Sequence, residues 1–135
     1  MHWQENLLTS SEQIRDLITQ TKRIAVLGIK TEAQADQPSV YVPLYMQRAG
    51  FEIIPVPVYY PDATVILGAT VYRSLSEIPG DIDMVDVFRP APDINGHVDD
   101  ILAKKPKSVW FQSGIRNDKA AELIAKAGIK VVQDR

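Results

Sequence analysis

The chain has 135 residues, 45% of them hydrophobic, and a formal charge of −2; a chain of this size buries about two-thirds of the surface that its unfolded form exposes, so one domain over 1–135 needs no covalent staples. With no cysteine, it excludes disulfides, Cys-ligated zinc and thiol chemistry of its own, and it suits a reducing compartment. The small negative charge speaks against a broad nucleic-acid footprint, His2 and His97 are too few for a metal cluster, and no apolar run has the length of a membrane span, so the expected setting is cytoplasmic.

The N-terminus, MHWQENLLTSSE, has no basic segment followed by an apolar one, which argues against a secretory or transit leader. Thr9-Ser10-Ser11-Glu12 reads as a capping box, and Ile14, Leu17 and Ile18 share a helical face. Residues 1–22 are thus expected to pack as an N-terminal helix on the domain. Arg23 to Gly28 (RIAVLG) is a strand ending in a glycine turn, followed by a polar loop (IKTEAQADQP) and a helix from near Ser39 to Ala49. Ser39 is the expected cap, Pro43 falls in the first turn, and Gly50 stops the helix before a strand from Phe51 to Pro57. Val58 to Thr70 is a loop rich in Pro, Tyr and Gly, with a short strand or turn at Val65 to Gly68, then a brief helix at Ser74 to Ile78 and a turn at Pro79-Gly80-Asp81. The strand Asp83 to Phe88 precedes a helix capped by Asp93, with Val98, Ile101 and Leu102 on its face. After the strand Ser108 to Gln112, Asn117 caps a helix with Ala120, Leu123, Ile124 and Ala127 on one face; Gly128 stops it, and Ile129 to Val132 is the last strand. Such alternation predicts an α/β fold: a doubly wound, parallel five-stranded sheet with helices on both faces.

In such sheets ligands sit at the carboxyl ends of the strands, where strand order reverses, expected here between the first and fourth strands. Strand one ends in Gly28 and Ile29, strand two in Pro55, Val56 and Pro57, strand three in Phe88, Arg89 and Pro90, and strand four in Gln112, Ser113 and Gly114, while Lys30, in the loop after strand one, is a further candidate for the ligand. The glycines admit a ligand to the backbone, Phe88 and the Pro-Val-Pro segment offer apolar contact for a base, Gln112 and Ser113 offer hydrogen bonds, and Arg89 offers a planar cation for phosphate. Gly28 is followed by Ile29-Lys30-Thr31-Glu32, so neither the Gly-x-Gly-x-x-Gly fingerprint nor a P-loop is present. Strand two also lacks the terminal acid that holds the ribose in NAD sites. Tyr72 either stacks on a ligand or packs the crossover, and the polar loop after Gly28 is either plain surface or a lid. His97 reads as a surface residue away from the site, Trp110 and Phe111 as core, and Asp83 and Asp86 as a strand entry and a polar contact toward neighbouring helices. No catalytic base, nucleophile or metal set emerges.

At these strand ends the sequence resembles the bacterial CoA-binding domain family, small stand-alone proteins related to the CoA-binding domain of the succinyl-CoA synthetase alpha subunit. The match is carried by IAVLGI, by Pro38, Ser39 and Val42, by GFEIIPV, by LGATVYRSLSEIPGDIDMVDVFR with Tyr72, by VWFQSGI with Asn117, and by AGIKVVQDR. The resemblance implies a Rossmann-like domain that holds coenzyme A or acyl-CoA across the strand ends, with the loop before Ser39 near its phosphates and no catalysis of its own. It implies a carrier, sensor or partner subunit; the alternatives are a fragment or subunit of an acyl-CoA ligase, or a nicotinamide-nucleotide-binding oxidoreductase or redox sensor. A homodimer or a protein partner is left open, and neither a nucleic acid nor a membrane is expected. Where the family has Pro-Val-Asn-Pro, this chain has Pro55-Val56-Pro57-Val58-Tyr59-Tyr60-Pro61, and the cysteine that commonly follows the family's Asp-Arg is not in the sequence.

Overall fold

The computed structural model describes residues 2–135; Met1, the first residue of the expected domain, lies outside the described residues. Helix α1 (Ser11–Thr19) leads into β1 (Arg23–Leu27), α2 (Pro38–Arg48) and β2 (Glu52–Val56). A two-stranded antiparallel hairpin, β3 (Val65–Ile66) with β4 (Ala69–Thr70), precedes β5 (Met84–Val87), α3 (Val98–Lys104), β6 (Ser108–Phe111), α4 (Asp118–Lys126) and β7 (Lys130–Val132). The five main strands are all parallel in the order β2-β1-β5-β6-β7. β1 and β5 are nearly continuous apolar runs because a parallel strand with helices on both sides buries both of its faces.

One face of the sheet packs Ile24, Val26, Ile53, Met84 and Val132 against Ile14 and Leu17 of α1 and Met46 of α2. The other packs Ala25, Val85, Val109 and Phe111 against the 3-10 turn Leu75–Glu77, α3 and α4. At the amino end of the sheet, Asp83 Oδ2 accepts from the Lys22 and Arg23 amides at 3.0 and 2.8 Å while its Oδ1 pairs with Lys107 Nζ at 3.3 Å, which joins three segments. The otherwise open edge of β7 is covered by Leu7, which bridges to Val131, and by the Leu8 amide, which donates to the Val131 carbonyl at 2.9 Å. Among the described residues, no helix is long and apolar enough to cross a membrane.

Several local expectations are corrected. Strand order reverses between β1 and β5, not between the first and fourth strands, because β5 pairs directly with β1. The capping box sits one residue later: Ser10 caps α1, its Oγ accepting from the Gln13 amide at 3.1 Å while Gln13 Oε1 accepts from the Ser10 amide at 3.2 Å. Ser39 is not a cap but the second residue of α2, buried behind Pro38, which opens the helix as a residue with no amide to leave unpaired. Pro43 therefore lies inside α2, not in its first turn, and leaves the Ser39 carbonyl without its in-helix donor. Asp93 caps nothing; it lies in a 3-10 turn, Ala91–His97, that leads into α3. Asn117 does cap α4, accepting from the Ala120 amide at 3.0 Å, but the buried stripe is Ala120, Ala121, Ile124 and Ala125, with Leu123 and Ala127 exposed.

Candidate functional site

The turn after β1 is dictated by crowding. Gly28 has φ +90°, its amide donates to the Val56 carbonyl at 2.9 Å, and a Cβ there would stand 2.4 Å from the Phe88 carbonyl oxygen and 3.0 Å from Arg89 Cδ. Only glycine fits such an approach, so the exits of β1 and β5 close on one another at the point where strand order reverses. The Arg89 side chain consequently lies over Gly28. One end of its guanidinium donates to Asp93 Oδ2 at 3.1 Å, while its Nε is buried with no hydrogen-bond partner among the described residues. An unpaired buried N–H on a cation costs free energy unless a ligand accepts from it.

Around this pair lies a cavity of about 340 Å³, floored by Gly28, Ile29 and Phe88 and flanked by Lys30 and Arg89. Its far wall is Val58, Tyr59 and Tyr60, the two rings packed edge to face with centroids 5.1 Å apart. Arg73 fixes that wall by donating to the carbonyls of Tyr59, Tyr60 and Ala63 at 3.2, 2.7 and 2.7 Å. On the β5 side, Asn117 Nδ2 donates to the Ala91 carbonyl at 2.7 Å and ties the exit after Pro90 to the start of α4. The cavity offers two cations, close backbone and aromatic surface, a combination suited to phosphate beside a planar group. Sequence reasoning missed Val58 to Tyr60 and Arg73 as builders of the site; the only signal was the departure Pro-Val-Pro-Val-Tyr-Tyr after β2.

Of the residues singled out from the sequence, the structure brings Gly28, Ile29, Lys30, Phe88 and Arg89 to this one cavity. Pro38 and Ser39 open α2 at the far end of the loop that starts at Ile29. That loop is not featureless: Ile29 is buried, Lys30 Nζ donates to Gln37, and Gln34 folds back on Thr31 in a 3-10 turn. Val56 and Pro57 are buried, with the Val56 side chain in the core of the opposite face. Tyr72 packs against that same core, its amide donating to the Pro55 carbonyl at 3.0 Å. Val42 and Gln112 line a separate groove, and Ser113 and Gly114 form an exposed turn whose Gly114 amide is taken by Asp134 Oδ1 at 2.5 Å.

Two titratable groups behave differently from their sequence readings. His97 is half-buried and close enough to Arg89 to feel its charge; burial and that cation hold its pKa below the usual histidine value. Asp86 lines a groove beside α1 and α2, but its hydrogen-bond partner is Gln112 and not a helix residue. It is buried in β5, paired in register with Val26 and Trp110, and desolvation pushes its carboxyl up to about 7 against the lowering effect of a hydrogen bond from Gln112 Nε2. An acid placed mid-strand in an apolar run was the available signal.

A family model described as a CoA binding domain matches residues 22–135. The chain is 35% identical over 125 residues to a Bacillus subtilis (strain 168) protein called uncharacterized protein YneT, a match covering 93% of this chain and 89% of the relative. Among solved structures it is similar to cell-free ID.343 from Thermus thermophilus, with TM-score 0.84, 34% identity, and coverage of 94% of this chain and 92% of that one. It is also similar to a hypothetical protein from Pyrococcus horikoshii OT3, with TM-score 0.83, 30% identity, and coverage of 94% and 86%.

Proposed function

This chain belongs to the CoA-binding domain family, and on that premise we propose that it is a non-catalytic CoA-binding module that holds the phosphates of CoA or acyl-CoA between the Gly28 turn and Arg89. The observation that carries this reading is the Arg89 guanidinium, whose Nε is buried without a partner directly over a glycine that nothing larger can replace. A phosphate oxygen accepting from Nε would satisfy that group, and Lys30 of the same lining would supply a second charge. The faces of Tyr59, Tyr60 and Phe88 are apolar partners for the adenine. The role assigned is to bind and present the nucleotide, as a carrier, sensor or partner subunit. Among the described residues, the cavity's lining, Gly28, Ile29, Lys30, Val58 to Tyr60 and Phe88 to Pro90, contains no serine, histidine or carboxylate to activate a nucleophile.

A thermal-shift panel tests the reading. A ligand that binds only the native state adds about 2.7 kcal/mol at 100 times its dissociation constant, which moves the midpoint by several degrees. CoA is expected to produce that shift and NAD and ATP much smaller ones, since no ribose-holding acid ends β2 and no P-loop follows β1. A larger shift with NAD than with CoA overturns the proposal in favour of a nicotinamide-nucleotide protein.

A further inference from the structure

On the face of the sheet that carries α1 and α2, β5 and β6 have no helix of their own. A groove of about 250 Å³ remains there, bounded by Ile18 of α1, Val42 and Met46 of α2, and Met84, Asp86 and Trp110 of the sheet. It is separate from the Gly28 cavity, which opens at the strand ends. Its walls are apolar except at Thr21, Asp86, Gln112 and Arg135, and Asp86 is 2% exposed. Asp86 Oδ1 accepts from Gln112 Nε2, and among the described residues no side-chain hydrogen bond is made to Oδ2, so this groove-lining carboxyl keeps an acceptor free. A carboxyl oxygen left in this state amid mostly apolar walls is a strong acceptor for a ligand's donor. The volume falls below the roughly 300–1,000 Å³ of sites that enclose drug-sized ligands, so the occupant is small.

We propose that this groove is a second binding pocket, for a short apolar chain of about six heavy atoms bearing one hydroxyl that donates to Asp86 Oδ2. The chain has two chemical sources, a free short-chain alcohol or the hydroxylated acyl group of a thioester. The second source rests on the CoA reading of the strand ends; the first does not. Gln112 both lines the groove and follows the carboxyl end of β6, so it marks where a thioester arm would enter. The carboxyl's elevated pKa, about 7, fits an isolated acceptor in an apolar setting and places a working assay at pH 8, where it is ionised. Arg135 is the one other charged residue lining the groove.

The groove carries its own reporter. The chain has two tryptophans, and Trp3 packs beneath Lys126 of α4 against the core of the other sheet face from Trp110, so Trp3→Phe leaves Trp110 as the sole tryptophan emitter. In that variant at pH 8, 1-hexanol is expected to change Trp110 emission saturably and to bind at least fivefold more tightly than its isomer methyl pentyl ether, which has no donor. In Asp86→Leu the preference is expected to vanish. Should that variant not fold, the alcohol-to-ether ratio in the Asp86 protein decides alone. A parallel titration compares 3-hydroxybutyryl-CoA with butyryl-CoA: a fivefold preference for the hydroxylated thioester assigns the pocket to the acyl arm, and equal affinities beside an intact hexanol preference assign it to free alcohols. Absence of saturable change with hexanol, or equal binding of alcohol and ether, overturns the pocket whether or not CoA itself binds. So does a Trp110 signal that tracks protein concentration and self-association in sedimentation, which would give the groove to a second copy of the chain.

Discussion

Individual residues at the carboxyl end of the sheet are set by contacts that a sequence only partly displays. Gly28 could be read as a turn glycine, but the closeness of the Phe88 carbonyl, 2.4 Å from where a Cβ would stand, follows from β5 lying next to β1. Gly28→Ala should therefore cost roughly 1–3 kcal/mol for the strained backbone alone, with further loss from the clash, and should abolish CoA binding; urea unfolding with a parallel titration checks both. Asp86 was invisible as a buried acid, because the alternation in DMVDVF assigns it to a polar face that a doubly covered parallel strand does not have. Its pH dependence follows from linkage. The folded-state pKa of about 7 exceeds the ordinary value of 3.8, so the folded protein keeps a proton that the unfolded chain loses. The contribution of Asp86 to stability is full below about pH 4, declines as pH rises to about 7, and is flat above, by up to about 4 kcal/mol in total. Asp86→Asn should exceed the unmodified protein in denaturant midpoint by a margin that is clearly larger at pH 8 than at pH 5; the same margin at both values would contradict the assignment.

Among the elements, long apolar runs and glycine stops were legible, and boundaries set by side-chain geometry were not. The capping box slipped from Thr9 and Glu12 to Ser10 and Gln13 because both dyads satisfy the same pattern and only the chain's entry angle chooses between them. Similarly, α4 presents Ala121 and Ala125 to the core instead of Leu123, since small residues let the helix settle closely on β7 and on the turn Trp3–Asn6. The loop from Ile29 to Gln37 is pinned at both ends, by buried Ile29 and by the Lys30–Gln37 hydrogen bond, while Glu32, Ala33, Ala35 and Asp36 carry few contacts. Ligand phosphate at the Gly28 turn would compete for Lys30 and tighten the segment. Hydrogen exchange of the amides between Thr31 and Gln37 is expected to slow at saturating CoA, while β1 stays unchanged. The opposing wall depends on Arg73, which holds three carbonyls of the Tyr59–Ala63 loop, so Arg73→Ala should weaken CoA binding several-fold with little change in midpoint.

For the whole molecule, the alternation of strands and helices fixed the α/β class because parallel pairing leaves few other topologies. Strand order was harder: the reversal lies between β1 and β5, and this is what brings Arg89, not Gln112, beside Gly28. The same arrangement divides the residues chosen from the sequence into a strand-end cavity and a separate sheet-face groove, a division that no linear pattern encodes. The central claim is that the cavity receives phosphate through Arg89, and calorimetric titration of CoA into the unmodified protein, Arg89→Ala and Arg89→Lys tests it directly. A hydrogen bond to a charged group contributes roughly 1.5–3 kcal/mol, so Arg89→Ala should bind about tenfold to a hundredfold more weakly while remaining folded, and Arg89→Lys should recover only part of the loss because it keeps the charge without the guanidinium's Nε. Unchanged CoA affinity in a folded Arg89→Ala protein would contradict the account.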